Sequence, residues 1–179
     1  GCHMPERRHL WRGIHDPAMV KQGVSVRLAV DKARYQVGEQ LRAEITVVNT
    51  GVGHNVPTYV TPKIVVRWEL VDTDGKRVNE SVQEERIGRE VTLDLTQELF
   101  DTRIAPGKSR TVRYVRAIDR AGLTLRASVV VVPDDFYIQF FEAILPRVKA
   151  KEPRALVEQA IREGRARSYI LFTENAAVS

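Results

Sequence analysis

From Val24 to Val131, apolar residues return again and again at every second position, and this period restricts what the chain can become. Val24, Val26, Leu28 and Val30 alternate with Ser25, Arg27 and Ala29; Leu41, Ala43, Ile45 and Val47 alternate with Arg42, Glu44 and Thr46. Ile64, Val66, Trp68 and Leu70 repeat the pattern against Val65, Arg67 and Glu69, and Leu123, Leu125, Ala127, Val129 and Val131 repeat it again. Side chains of a strand point alternately to opposite faces, so each run predicts a strand with one face in a core and one in water. Turn signals separate the runs: Asp72-Thr73-Asp74-Gly75, Ala105-Pro106-Gly107-Lys108 and Arg120-Ala121-Gly122. A further strand is expected over 110–117, and an edge strand around Glu90 to Leu95, within a less regular stretch from Val78 to Ile104. Six or seven strands at this spacing predict a mainly β fold, an immunoglobulin-like antiparallel β-sandwich. A lone cysteine excludes the disulfide-pinned form, and Trp68 is assigned to the core.

Beyond Pro133 the period becomes helical. Phe136, Phe140 and Ile144 fall at four-residue spacings after Asp134-Asp135, and Pro146 is expected to end that helix. Glu152-Pro153 opens a second helix with a stripe of Leu156, Val157, Ala160 and Ile161, and Gly164 is read as its stop. Tyr169 to Phe172 then reads as a short final strand. The expected organisation is therefore an irregular, partly helical leader over 1–23, a sandwich over 24–133, and a helical extension packed on it over 134–179.

Composition narrows function mainly by exclusion. Charged residues make up 28% of the 179, and the net charge of +5 is spread along the chain. The basic residues from Arg147 to Arg167 lack interleaved aromatics, so they read as a solvated helix face and no nucleic-acid partner is expected. No apolar run reaches the roughly 20 residues of a membrane span. There is no Gly-rich phosphate loop, G-x-S-x-G elbow or H-E-x-x-H motif, so this stretch of chain is not expected to be an enzyme in itself.

Two short segments stand out. The opening Gly1-Cys2-His3-Met4-Pro5 has no initiator Met. Gly-Cys-His-Met is one residue from a common protease-tag scar. Alternatively, Cys2-His3 is the tail of a Cys-x-x-Cys-His haem-attachment motif, in which the thiols form thioethers and the adjacent imidazole ligates iron. The second segment is Asn49-Thr50-Gly51-Val52-Gly53-His54-Asn55-Val56-Pro57-Thr58. Its glycines permit tight turns before His54, and Pro57 stiffens the exit, so the loop should hold a histidine rigidly at one end of the sandwich. His3, His9 and His15 are spaced six apart, which does not place them on one helical face.

Taken together, Cys2-His3-Met4-Pro5, His9-Leu10-Trp11-Arg12-Gly13, His15-Asp16-Pro17 and Asn49-x-Gly51-x-Gly53-His54-x-x-Pro57-Thr58 resemble the C-terminal part of periplasmic multihaem c-type cytochromes of the cytochrome c554-related group. The resemblance implies that 1–23 is the tail of an upstream haem-binding region. It implies that Cys2 holds a haem thioether, that His3 is that haem's proximal ligand, and that His54 is a distal ligand to another haem. His15 and His9 are further candidates for distal ligation. The cofactor implied is haem c, bound largely by upstream sequence and expected to be absent from this stretch alone. The partners implied are the upstream haem domain and an unnamed redox protein, in a periplasmic or other extracytoplasmic setting. Two positions depart from the family loop, which often has Phe before Pro and Gly after Thr: here they are Val56 and Tyr59. Two alternatives stand beside this reading, a non-redox binding or assembly module and a copper or zinc site using His54 with His9 or His15.

Overall fold

The computed structural model describes residues 12–178. Asp16 opens the first helix, α1 (Pro17–Gly23), by accepting a bond from Met19 N–H at 3.0 Å, and Pro17 supplies the preset φ of a first helical position. Eight of the nine strands follow: β1 (Val24–Val30), β2 (Gln40–Asn49), β3 (Lys63–Val71), β4 (Gln83–Ile87), β5 (Arg89–Val91), β6 (Glu98–Asp101), β7 (Ser109–Ala117) and β8 (Thr124–Val132). Helices α2 (Asp135–Ile144) and α3 (Lys151–Ala166) come next, and β9 (Tyr169–Ala177) closes the chain.

The strands form two antiparallel sheets, in the orders β1-β2-β7 and β4-β3-β8-β9, with β5 and β6 as a separate hairpin. The expected alternation is what fills the space between the sheets. Leu41, Ala43, Ile45 and Val47 of β2 are buried, as are Ile64, Val66, Trp68 and Leu70 of β3. Each fully buried aliphatic of this kind is worth about 1.5–3 kcal/mol of transfer free energy. Trp68 stacks on Tyr114 of β7 across the interior, with centroids 5.5 Å apart, and the Tyr114 hydroxyl donates to Ser81 O at 2.9 Å. The mainly β sandwich and its two C-terminal helices are thus present as read from the sequence.

Several local expectations fail for identifiable reasons. The edge strand placed at Glu90 to Leu95 is instead β4 plus the β5–β6 hairpin, and Leu95 lies in the connecting turn with φ of 62°. β4 reads Gln-Glu-Glu-Arg-Ile and carries no alternation, because its charges pair outward: Arg67 to Glu84 at 3.0 Å and Arg110 to Glu85 at 2.7 Å. Gly164 does not stop α3, which continues to Ala166. It is a close-approach residue, since a Cβ there would lie 3.0 Å from Ile138 Cγ1 of α2. Pro146 does mark the end of α2, where a 3₁₀ turn runs over Leu145–Arg147. β9 is longer than the four apolar residues suggested. It pairs with β8 over its whole length and is a structural strand of the second sheet, with Leu171 unpaired at a register shift.

One buried feature went unread in the sequence. Lys63, at the start of β3, has a fully buried side chain. Its ammonium donates to Val60 O at 2.8 Å and lies 3.3 Å from Glu90 Oε2 and 3.9 Å from Asp135 Oδ2. Arg86 pairs with the same Asp135, and the Gln139 amide donates to it at 2.7 Å. Gly88 makes room for this lysine: a Cβ at that position would come within 2.6 Å of Lys63 Cδ. The cluster ties the start of α2 to the sheet just beyond the His54 loop.

Candidate functional site

The Asn49–Thr58 segment leaves β2 at one end of the sandwich, and its shape is set by one side chain. Asn49 is buried, and its amide makes three bonds: Nδ2 donates to His54 O at 2.9 Å and Ile104 O at 3.1 Å, while Oδ1 accepts from Val52 N–H at 3.0 Å. A buried amide with all three contacts met serves as an internal staple, because each backbone group would otherwise be desolvated without a partner. The approach is equally tight. Thr50 N–H and Gly51 N–H both donate to Gly23 O, and a Cβ on Gly23 would lie 2.5 Å from Val52 Cγ2. At the exit, Val56 and Ile104 exchange both backbone bonds, and the Val56–Pro57 peptide is cis.

On this frame His54 is exposed, and its Nδ1 lies 3.0 Å from Asn55 O and 3.1 Å from Thr58 Oγ1. A carbonyl oxygen can only accept, so the short contact is favourable when Nδ1 carries the proton. That tautomer leaves the lone pair on Nε2, the arrangement by which a second-shell acceptor orients a metal-binding imidazole.

Beside the loop, a groove of about 710 Å³ opens toward α1, within the range of small-molecule and cofactor sites. Ile14, Met19, Val20, Val52 and Pro57 line it, with His54 as its imidazole. Arg12 also lines it, with a guanidinium paired to Asp16 four residues on. An apolar slot with one imidazole at its rim has the residue types that a flat, mostly apolar macrocycle such as haem would need.

The remaining sequence candidates divide. His15 is half-exposed and not among the groove residues. Its Nε2 lies 3.1 Å from Asp134 Oδ1, and Arg167 pairs with the other oxygen of that carboxylate. His15 thus fastens the leader to α2, and Tyr169 adds a second tie by donating to Ile14 O at 2.9 Å. Cys2, His3 and His9 lie outside the described residues. Among the described residues no three His, Cys, Asp or Glu side chains gather as a metal cluster, so His15 lends no support to a copper or zinc site with His54. Of the two departures from the family loop, Val56 is buried in its bridge with Ile104. Tyr59 is half-exposed, and its hydroxyl is pushed above the ordinary phenol range by partial burial, then by Tyr137 and Asp134. The sequence marks Asn49 as part of the loop motif but not its stapling role, and it gives no sign of Arg103. Arg103 donates to Thr58 O at 2.7 Å from 45 positions away, and nothing local in the sequence signals that.

No protein-family model matches the chain, and no curated protein does. Among solved structures the chain is similar to a penta-haem cytochrome c552 from Thermochromatium tepidum, with a TM-score of 0.62 at 15% identity over 97% of this chain and 45% of that one. It therefore spans less than half of that cytochrome's length. Weaker likenesses are to a CARDB domain from Pyrococcus furiosus (TM-score 0.36, 16% identity, covering 60% of this chain and 73% of that one) and to the C-terminal domain of wzt (0.35, 9%, 60% of each). The likeness to the penta-haem cytochrome is one of fold: this chain shares its architecture with a portion of a multihaem protein.

Proposed function

We propose that this chain is the β-sandwich portion of a periplasmic multihaem c-type cytochrome and that His54 supplies an axial ligand to one of its haems. The observation that carries the reading is the placement of His54. It stands on a stapled loop beside an apolar groove, with Nδ1 3.0 Å from a backbone carbonyl, and the tautomer protonated at that nitrogen would offer Nε2 to a metal. The likeness in fold to a penta-haem cytochrome supports the same reading. A haem with two axial imidazoles carries one electron at a time and has no open coordination position. The chain's own residues do the rest. Asn49 and the Val56–Ile104 bridge fix the loop, Val52 and Pro57 give the groove apolar walls, and the Arg12–Asp16 ion pair lies at its edge. Cys2 and His3 would complete attachment of a different haem, with His9 as a further candidate ligand; the Nε2 of His15 is held by Asp134, so ligation there requires that bond to open.

The test is the visible spectrum of the haem-loaded whole protein, made in a host with c-type maturation machinery. His54→Ala should convert one low-spin haem to high-spin, and an unchanged spectrum removes His54 from the ligands. A second reading, a docking module without redox function, has one observation in its favour: α2 leaves Tyr137 and Phe140 exposed. A protein that takes up no haem in that host would favour it.

A further inference from the structure

Two side chains, one five positions before His54 and one far along the chain, hold the backbone at the histidine and at Thr58 beyond it. Asn49 Nδ2 donates to the His54 carbonyl, and Arg103 Nη1 donates to the Thr58 carbonyl at 2.7 Å. The Arg103 guanidinium is itself immobilised by a fork on Asp101, with Nε to Oδ1 at 2.9 Å and Nη2 to Oδ2 at 2.6 Å, and it is 17% exposed. Thr58 in turn places its hydroxyl 3.1 Å from His54 Nδ1. The contacts form one path, from the carboxylate of Asp101 at the end of β6 through Arg103 and Thr58 to the imidazole. A planar fork loses less freedom per bond than an ammonium would, which suits a residue whose task is to fix geometry.

We propose that Arg103 is a positioning residue for His54: seated on Asp101 and bonded to Thr58 O, it holds the turn that delivers the imidazole as the Nδ1–H tautomer in one orientation. This rests on the reading of His54 as an axial ligand, but its first test does not need haem. Asn49 is the second arm of the same device. It is poorly suited to a test because its loss also opens the core, whereas Arg103 lies at the surface end of the loop.

The experiment is a long-range nitrogen–proton NMR correlation on the histidine rings of this chain, which reads the tautomer directly, for the unsubstituted protein, Arg103→Gln and Arg103→Lys. Freeing the turn at Thr58 should weaken the contact of Nδ1–H with Asn55 O, and loss of up to one net hydrogen bond there would lower the ratio of the Nδ1–H form to the other by as much as about fivefold. Arg103→Lys keeps the charge but not the fork, so it should behave as Arg103→Gln does. A ratio unchanged in both variants overturns the proposal. So does recovery in the lysine variant, since charge alone would then suffice. Dispersed tryptophan and methyl signals report that each variant is folded. In the haem-loaded protein, Arg103→Gln should leave His54 bound yet raise the high-spin fraction of that haem. If His54→Ala leaves the haem spectrum unchanged while Arg103→Gln still shifts the tautomer, the ligand assignment fails and the positioning role stands.

Discussion

Replacing Lys63 by Met puts a number on the buried ion cluster beneath the His54 loop. The methionine occupies most of the lysine stem, so Gly88 keeps its neighbour and little cavity forms. What is lost is the ammonium that faces Glu90 at 3.3 Å and Asp135 at 3.9 Å, two carboxylates with side chains only 10% and 6% exposed. Arg86 remains on Asp135, but it is 40% exposed and already paired there. Removing one partner from a buried pair typically costs about 3–5 kcal/mol, because the other charge stays behind uncompensated. For a domain of this size that is a fall in Tm of about 6–20 °C. The loss should depend on pH, with a defined sign. The carboxyl of Asp135 is raised above its ordinary value by burial, against the opposing pull of Arg86, Gln139 and Lys63. A carboxyl raised on folding binds its proton more tightly in the folded state, so its contribution is full at low pH and is lost as pH rises through the folded value. Without Lys63 that rise is larger, so the deficit of the variant should be greatest near neutrality and shrink toward about pH 4.5. Thermal and urea unfolding at both pH values measure it, and Lys63→Met with Glu90→Gln should recover part of the loss. A deficit below about 1 kcal/mol, equal at both pH values, would refute the claim that the cluster is a desolvated, mutually dependent set.

Asn49→Leu should cost about 2–4 kcal/mol in urea unfolding, since Val52 N–H, His54 O and Ile104 O all lose a buried partner at once; a cost near zero would show that water takes its place. Gly23→Ala should destabilise by about 1–3 kcal/mol, because the new methyl meets Val52 Cγ2 at 2.5 Å and presses on the histidine loop. Amide exchange in residues 50–58 should quicken in that variant relative to β8. In alkaline titration, burial pushes the hydroxyls of Tyr35 and Tyr114 up to about 12, so tyrosinate absorbance should still be growing well above the ordinary value of 10. Because those hydroxyls hold their protons longer when folded, stability should decline as pH rises from 10 toward 12.

The sandwich was legible because β2, β3 and β8 each bury one face completely, and a period of two then has a single solution. The helices were legible from Phe136, Phe140 and Ile144 and from the stripe at Leu156 to Ile161. The stretch from Val78 to Ile104 was not. β4 lies at a sheet edge and settles its charges by pairing with Arg67 and Arg110, which no local period encodes. Gly164 misled because its role, room for Ile138, belongs to another helix. At the site, His54 and its flanking glycines were visible as a rigid loop. Asn49 read only as the first letter of a motif, since the bond that ties the loop to the rest of the sandwich reaches Ile104, 55 positions away. Arg103 was invisible for the same reason: its partner Thr58 is brought to it by the Val56–Ile104 bridge, a contact made only once the sheets have formed.

The most direct measurement is the far-red absorbance of the haem-loaded whole protein carrying His54→Met. If Nε2 of this imidazole binds iron, one haem acquires a thioether ligand, with a sulfur-to-iron charge-transfer band in the oxidised state and a higher reduction potential. A spectrum and set of potentials identical to those of the unsubstituted protein would mean that every haem finds its ligands elsewhere.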